Sequence, residues 1–146
     1  FMLIRRKTKK RGITSSSTNH TTNTPQLIVT KFMEALLIVK LFHWNTLSYA
    51  QHKSTDDFYG KLNDHMDKFI EVLMGKTGQR IKMRSCSVAN IPASKSEFAT
   101  YIKSFRQFLV NGINLQKFGE DTGDLTNIRD EILGDLSTLN YLFTLK

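Results

Sequence analysis

The chain has very little cysteine and no long apolar run, and each shortage excludes a class of protein. Its single cysteine, Cys86, cannot form an internal disulfide, so the sequence favours an intracellular, cytoplasmic setting over secretion. Lys40 and His43 interrupt the longest apolar stretch, which leaves no run near the roughly 18 residues of a membrane-spanning helix. With 146 residues, the chain is long enough for one domain with one hydrophobic core.

Acidic residues are missing from the first 33 positions, which carry seven Lys or Arg. The remaining 113 residues hold fourteen basic and thirteen acidic side chains, so the net charge of +8 belongs mainly to the N-terminal segment. Residues 1–24 are therefore predicted to form a basic, Ser/Thr-rich arm, and residues 25–146 the folded domain. The arm's cationic cluster consists of Arg5, Arg6, Lys7, Lys9, Lys10 and Arg11. Such a cluster fits DNA phosphates, an acidic protein surface, a solubilising role or an organelle transit peptide.

Apolar residues recur at helical spacing through most of the domain, and no strand-like alternation competes with them. Thr24 and Pro25 form a helix start, and Ser94 with Glu97 resembles a capping box. Four helices are predicted, at about residues 25–45, 52–74 (starting at His52 or Ser54), 95–117 and 125–145. A long connection between the second and third helices carries Lys76, Arg80, Lys82 and Arg84. This pattern predicts an all-α, ferritin-like four-helix bundle with one crossover connection.

One side of the second predicted helix carries a polar stripe of His52, Asp56, Gly60, Asn63, Asp67 and Glu71. Intervals of four and eleven residues are close to whole numbers of turns, so these residues share one face. Phe58 and Phe69 occupy a different side, so the stripe is predicted to face away from the bundle's own core. His43, at the end of the first helix, is predicted to approach one end of the stripe.

The stripe offers imidazole and carboxylate groups, which are ligands that suit iron. Zinc sites are typically richer in cysteine. Many di-iron bundles point their ligands inward from Glu-x-x-His motifs, which this chain lacks. Ligands on the outer face of a bundle can surround a metal ion only if another surface closes the site. The second subunit of a symmetric dimer would provide that surface. The alternative is a solvated helix face, where acid and histidine pairs four residues apart contribute a few tenths of a kcal/mol. Trp44 fits either a position near the metal or an anchor at the end of the bundle, and His65 fits a packing or surface residue.

The motif resembles the Dps family, the ferritin-like DNA-binding proteins from starved cells. Their ferroxidase motif begins His-Trp-Asn, as in His43-Trp44-Asn45, and its later spacing is kept by His52, Asp56, Asp67 and Glu71. The interval from His43 to His52 is three residues shorter than is usual in Dps, and the Ala-Glu-Arg around the final Glu is replaced by "FIEVLMGK". The sequence is also similar to an uncharacterised Dps-like family of large DNA viruses.

The Dps resemblance implies a site shared by two subunits, with His43, His52 and Asp56 from one chain and Asp67 and Glu71 from its mate. It implies ferrous iron oxidised by peroxide or oxygen, storage of ferric iron in a shell that is typically dodecameric, and DNA binding by the basic arm. The viral similarity implies a virion location and capsid proteins as partners. Three hypotheses stay open: a ferroxidase and iron store, a structural component of a larger assembly with a vestigial site, and a shell that condenses nucleic acid.

Overall fold

The computed structural model describes residues 24–145, and the predicted N-terminal arm with its basic cluster lies outside that range. The described chain forms four α-helices: α1 Pro25–Asn45, α2 Tyr49–Thr77, α3 Lys95–Gln107 and α4 Gly123–Leu142. None of these helices is long and apolar enough to cross a membrane. The prediction of an all-α four-helix bundle with a long connection after the second helix is confirmed.

Helix α1 begins and ends where the sequence predicts. The Oγ1 atom of Thr24 accepts a hydrogen bond from the backbone N–H of Leu27 at 3.2 Å, and Pro25 occupies the first helical turn. Thr24 thus pairs one free N–H group of the first turn, and Pro25 has no N–H group that could be left unpaired there. At the other end, the N–H of Thr46 donates to the carbonyl of Phe42 at 2.9 Å before the backbone becomes extended.

Helix α2 is longer at both ends than predicted. Its N-cap is Ser48, whose Oγ accepts from the N–H of Gln51 at 3.4 Å, so His52 lies in the first turn instead of at the helix start. The helix runs through Gly75 and ends at Gly78, which adopts a left-handed conformation with φ of 65°. Glycine tolerates that conformation without a steric penalty, which explains why the helix ends there.

Helix α3 is about ten residues shorter than predicted. It ends at Gln107, and the chain continues through a single wide π-helical turn, Phe108–Gly112, and a 3₁₀ turn, Leu115–Phe118. A β-carbon at Gly112 would lie 2.6 Å from Cδ2 of the Phe108 ring, so this close approach requires glycine. The predicted capping box is present in altered form: Ser94 Oγ accepts from the Glu97 N–H, while Glu97 reaches back to the N–H of Ala93.

The hydrophobic core lies where α2 packs along both α1 and α4. The ring of Phe32 on α1 has its centroid 5.5 Å from that of Phe69 and 6.1 Å from that of Phe105. The apolar face predicted for α2 is buried, as are most of the apolar positions predicted for the other helices. The buried apolar residues of α2 and α4 are Phe58, Leu62, Phe69, Leu73, Leu125, Ile128, Ile132, Leu136 and Leu139.

We predict that Gly112→Ala destabilises the protein by about 1–3 kcal/mol, because the added methyl group displaces the Phe108 ring. Gly134→Ala is the matched control: a β-carbon there meets no atom within 4 Å, and the residue lies inside α4. The control substitution should stabilise by about 0.5–1 kcal/mol through helix propensity. Urea unfolding of both variants measures the difference, and equal effects of the two substitutions would contradict this account of the turn.

Candidate metal-binding site

The polar stripe of α2 faces away from the core, as the helical spacing predicts. All six of its members are exposed, whereas Phe58 and Phe69 on the other side of the helix are at most 3% exposed. The stripe residues fall within an arc of about 100° around the helix axis. They are His52, Asp56, Gly60, Asn63, Asp67 and Glu71.

The stripe residues are placed symmetrically along the helix about one midpoint, an arrangement called here the symmetric register. His52 and Glu71 are equally distant from a point between residues 61 and 62, and so are Asp56 and Asp67. Gly60 and Asn63 flank the same point, and a β-carbon at Gly60 would meet no atom within 4 Å. Two such helices placed antiparallel across a two-fold axis at that point would therefore set His52 opposite Glu71, and Asp56 opposite Asp67.

His43 lies against the first turn of α2, because only residues 46–48 connect the two helices. His43 is 6% exposed, and its Nδ1 lies 2.9 Å from the carbonyl oxygen of His52. The Nδ1 of His52 lies 3.0 Å from the carbonyl oxygen of His43, so the two contacts are reciprocal. The two rings are stacked with centroids 3.9 Å apart and an angle of 23° between their planes. The structure thus brings the two predicted histidine ligands into direct contact.

Asp56 lies beside this histidine pair. Its Oδ1 is 3.9 Å from Nε2 of His43 and 3.7 Å from Nζ of Lys40. The Lys40 ammonium also lies 4.5 Å from the centre of the Tyr59 ring, a cation–π contact. The motif does not predict Lys40 as a residue of the site, although its position one turn before His43 on the same helix was an available signal. The Lys40 ammonium group of the same chain therefore already lies within ion-pair distance of the Asp56 carboxylate.

Asp67 and Glu71 lie too far along α2 to join this group within one chain. Eleven residues separate Asp56 from Asp67, which is about 16 Å along the helix axis. Across residues 24–145, no three His, Cys, Asp or Glu side chains come together in a way that could hold a metal ion. The five predicted ligands therefore form two separate groups in a single chain.

The outer side of α1 carries an apolar stripe next to the polar stripe of α2. Met33, Leu37 and Trp44 are 47%, 42% and 65% exposed, and helical spacing places them on the same face as Lys40. Because Lys40 contacts Asp56 of α2, the two stripes are neighbours on one surface. Exposed apolar residues that line up on one face are typical of a surface that another protein covers.

His65 connects α2 to α4 and lies apart from the stripe. It is half-buried, with Nδ1 3.3 Å from a Glu131 carboxylate oxygen and Nε2 3.1 Å from Oδ2 of Asp135. Lys61 adds a contact of 3.0 Å to the other oxygen of Asp135. The sequence predicts a packing or surface residue at His65, and the half-buried ring has features of both; the sequence does not predict its two acidic partners on α4.

A cleft of about 580 Å³ lies between α1, the crossover connection and α3. Tyr101 lines it, and its hydroxyl group is buried without a hydrogen-bond partner in the described part of the chain. Burial, and secondarily the Glu34 carboxylate, raises the pKa of Tyr101 far above its ordinary value, so the hydroxyl stays protonated. None of the stripe residues lines this cleft, and the metal-site prediction does not involve it.

The basic residues of the crossover connection are exposed. Arg80, Lys82 and Arg84 lie in an irregular segment and make no ion pair within residues 24–145. Ile81 between them packs against the core, whereas Arg80 and Lys82 on either side of it are exposed. Lys76 instead pairs with Asp124 at 3.0 Å, and its hydrogen bond lowers the pKa of that carboxyl group.

The fold and the site together define an all-α four-helix bundle with a stacked pair of histidines at the junction of its first two helices and Asp56 near His43. Residues 43–143 match a family of unknown function, DUF5856, and the chain belongs to that family. The matched region begins at His43 itself and contains all five predicted ligands. No curated protein and no solved structure matches the chain significantly.

Proposed function

We propose that the protein is a Dps-like ferroxidase that oxidises ferrous iron between two copies of the chain and stores the ferric product in a shell. His43, His52 and Asp56 of one copy would share the site with Asp67 and Glu71 of the partner subunit. The observation that carries this proposal is the symmetric register of the stripe on α2, in which both pairs of ligands share one midpoint. The motif resemblance to Dps proteins points to the same pairing of residues.

The apolar stripe on α1 supports a second copy as the cover of this surface. Two copies related by a two-fold axis would bury Met33, Leu37 and Trp44 together with the polar stripe, which removes exposed apolar area from water. Gly60 lies next to the proposed axis and has no side chain to hold the two α2 helices apart. Both features belong to the described chain and require no movement of its core.

The donor set fits iron as the substrate. Two imidazoles and three carboxylates offer nitrogen and oxygen ligands, and the carboxylate charge favours the ferric product over the ferrous reactant. One molecule of hydrogen peroxide accepts two electrons, one from each of two ferrous ions, and takes up two protons to give two molecules of water. Lys40 would have to leave Asp56, or share it, when a metal cation arrives.

The first prediction from this proposal concerns assembly. Gly60→Arg should convert the dimer or shell to a monomer, because a large charged side chain would stand at the two-fold axis. The monomer should stay folded, since the position is exposed and open. Gly134→Arg, also at an exposed and open helical position, is the control and should leave assembly unchanged. Sedimentation velocity measures the mass, and a Gly60→Arg variant that assembles normally would contradict this interface.

The second prediction concerns sharing of the site between subunits. One variant carries His43→Ala, His52→Ala and Asp56→Ala, and the other carries Asp67→Ala and Glu71→Ala. Each alone should lose the fast formation of ferric absorbance after addition of ferrous iron and peroxide. Unfolding and reassembling them together in equal amounts should restore roughly a quarter of the sites, because half of the random dimers carry one intact site.

The control for the shared site is Asp57→Ala, which removes an exposed α2 carboxylate that lies outside the stripe and pairs with Lys53. It should keep full oxidation kinetics. Inactive variants that remain inactive after mixing, although they form mixed dimers, would refute a site built from two chains. A purely structural role in a larger assembly would be favoured if the unaltered protein formed dimers yet showed no fast oxidation.

We propose nucleic-acid binding as a second function, because Arg80, Lys82 and Arg84 form an exposed strip of cations without acidic partners in the described chain. From residue 72 to residue 96 the sequence contains no Asp or Glu, so no acidic residue interrupts these cations along the segment, although Glu71 of α2 lines a pocket together with Arg80. Such a strip binds phosphates without reading base sequence. The basic arm, with Arg5, Arg6 and four further cations, would add to it, and many copies on one shell would increase avidity.

Gel retardation of duplex DNA at two salt concentrations separates the two basic elements. Removing residues 1–11 and replacing Arg80, Lys82 and Arg84 by Gln should each weaken binding and flatten its salt dependence, because fewer counterions are released. Lys53→Gln is the control for loss of an exposed cation that already has a carboxylate partner, and it should have little effect. Unchanged binding after both alterations would refute a role for either element.

A further inference from the structure

We propose that the junction of α1 and α2 is a tautomer lock, in which reciprocal hydrogen bonds hold the proton of both His43 and His52 on Nδ1 and leave both Nε2 atoms as electron-pair donors. We further assign Thr55 as the positioning residue of this pair. The lock itself depends only on the contacts within one chain. Its use in metal binding rests on the proposed ferroxidase function.

The hydrogen-bond partners decide the tautomer. Each Nδ1 faces a backbone carbonyl oxygen, at 2.9 Å for His43 and 3.0 Å for His52. A carbonyl oxygen can only accept a hydrogen bond, so each Nδ1 must be the donor and carry a proton. In a neutral imidazole the other nitrogen, Nε2, then has a free electron pair. A histidine that binds a metal commonly fixes its orientation by donating its other N–H to a carbonyl in this way.

The stacking of the rings fixes their orientation. With centroids 3.9 Å apart and planes inclined by 23°, neither ring can flip by half a turn without losing its hydrogen bond. The short link of residues 46–48 adds a second restraint, since it holds the last turn of α1 against the first turn of α2. Each histidine also accepts its partner's hydrogen bond on its own backbone carbonyl, so a shift of either residue's backbone and ring together would weaken both contacts.

Thr55 supports the pair from the buried side. Its side chain is completely buried, and its Oγ1 lies 2.7 Å from the carbonyl of Gln51 and 3.1 Å from that of His52. The hydroxyl proton is therefore used on a helix carbonyl, and the oxygen that faces His43 Nδ1 at 3.4 Å can only accept. This contact favours a proton on His43 Nδ1 and opposes the other tautomer.

The fixed tautomer leaves Nε2 of His43 free to bind a cation together with the Asp56 carboxylate. With the proton held on Nδ1, the free electron pair of Nε2 lies 3.9 Å from the Asp56 carboxylate oxygen. Ligand atoms bound at about 2.1 Å to one ion lie roughly 3–3.5 Å apart, so only a small movement would let both bind the same metal. The opposite tautomer would instead point an N–H at Asp56 and leave the free electron pair on Nδ1, which faces the His52 carbonyl oxygen.

Nuclear magnetic resonance of the ¹⁵N-labelled full chain tests the lock without any metal. At a pH of about 8, where free histidine is neutral, long-range ¹H–¹⁵N correlation spectra distinguish a protonated Nδ1 from a protonated Nε2. His43→Gln and His52→Gln assign the signals. We expect the Nδ1–H pattern for both residues, and a predominant Nε2–H pattern for either one would overturn the lock.

Paired substitutions test Thr55. Thr55→Val keeps the shape of the side chain and removes the hydroxyl, whereas Thr55→Ser keeps the hydroxyl. Thr55→Val should give mixed tautomers at His43 and weaken binding of Zn²⁺, a redox-inert probe measured by calorimetry, by about tenfold. Thr55→Ser should retain both properties of the unaltered protein. Unchanged tautomers and Zn²⁺ affinity in Thr55→Val would remove Thr55 from this role.

The spectra also separate the lock from the ferroxidase proposal. If the Nδ1–H patterns are present but ferrous iron is not oxidised, the lock is confirmed and the ferroxidase proposal fails. If oxidation is fast but either histidine carries its proton on Nε2, the ferroxidase proposal survives and the lock is wrong. The spectrum of the unaltered protein decides the lock even if Thr55→Val does not fold.

Discussion

The packing of α2 against both α1 and α4 is the constraint on which the rest of the structure depends. Two neighbouring helices bury one side of α2, and that side must be apolar, as Phe58, Leu62 and Phe69 are. The remaining side is left to water or to another chain, and all of the metal ligands predicted on α2 lie there. A site built on this outer side can change without disturbing the core, but a single bundle cannot enclose it.

Local signals were sufficient to predict some helix boundaries and insufficient for others. Thr24 and Pro25 fix the start of α1 through contacts within one turn, so the sequence alone predicts it. The sequence predicts the start of α2 a few residues too late, because Ser48 lies in a short polar link and nothing in the sequence distinguishes it from an ordinary loop serine. Just after the early end of α3, the Phe108 ring lies close to Gly112, and such a contact is a matter of packing and not of periodicity.

The same distinction applies to the candidate site. Helical spacing alone places Asp56, Asp67 and Glu71 on one face, and their exposure agrees with it. The stacking of His43 on His52 could not be predicted, because it depends on how a three-residue link orients two helices. The approach of Lys40 to Asp56 likewise requires the crossing of α1 and α2 to be known. Contacts within one helix are encoded by sequence spacing, whereas contacts between helices are not.

The stretch of α2 from Asp56 to Asp67 is constrained in length more strictly than in composition. Deleting one residue there would rotate everything that follows by about 100° and draw it about 1.5 Å closer along the axis. The same rotation would move Phe69 and Leu73 out of the core and would turn Asp67 and Glu71 away from the stripe. An exposed position such as Asp64 can therefore vary in chemistry, while insertions and deletions in this stretch are excluded by the bundle's own interior.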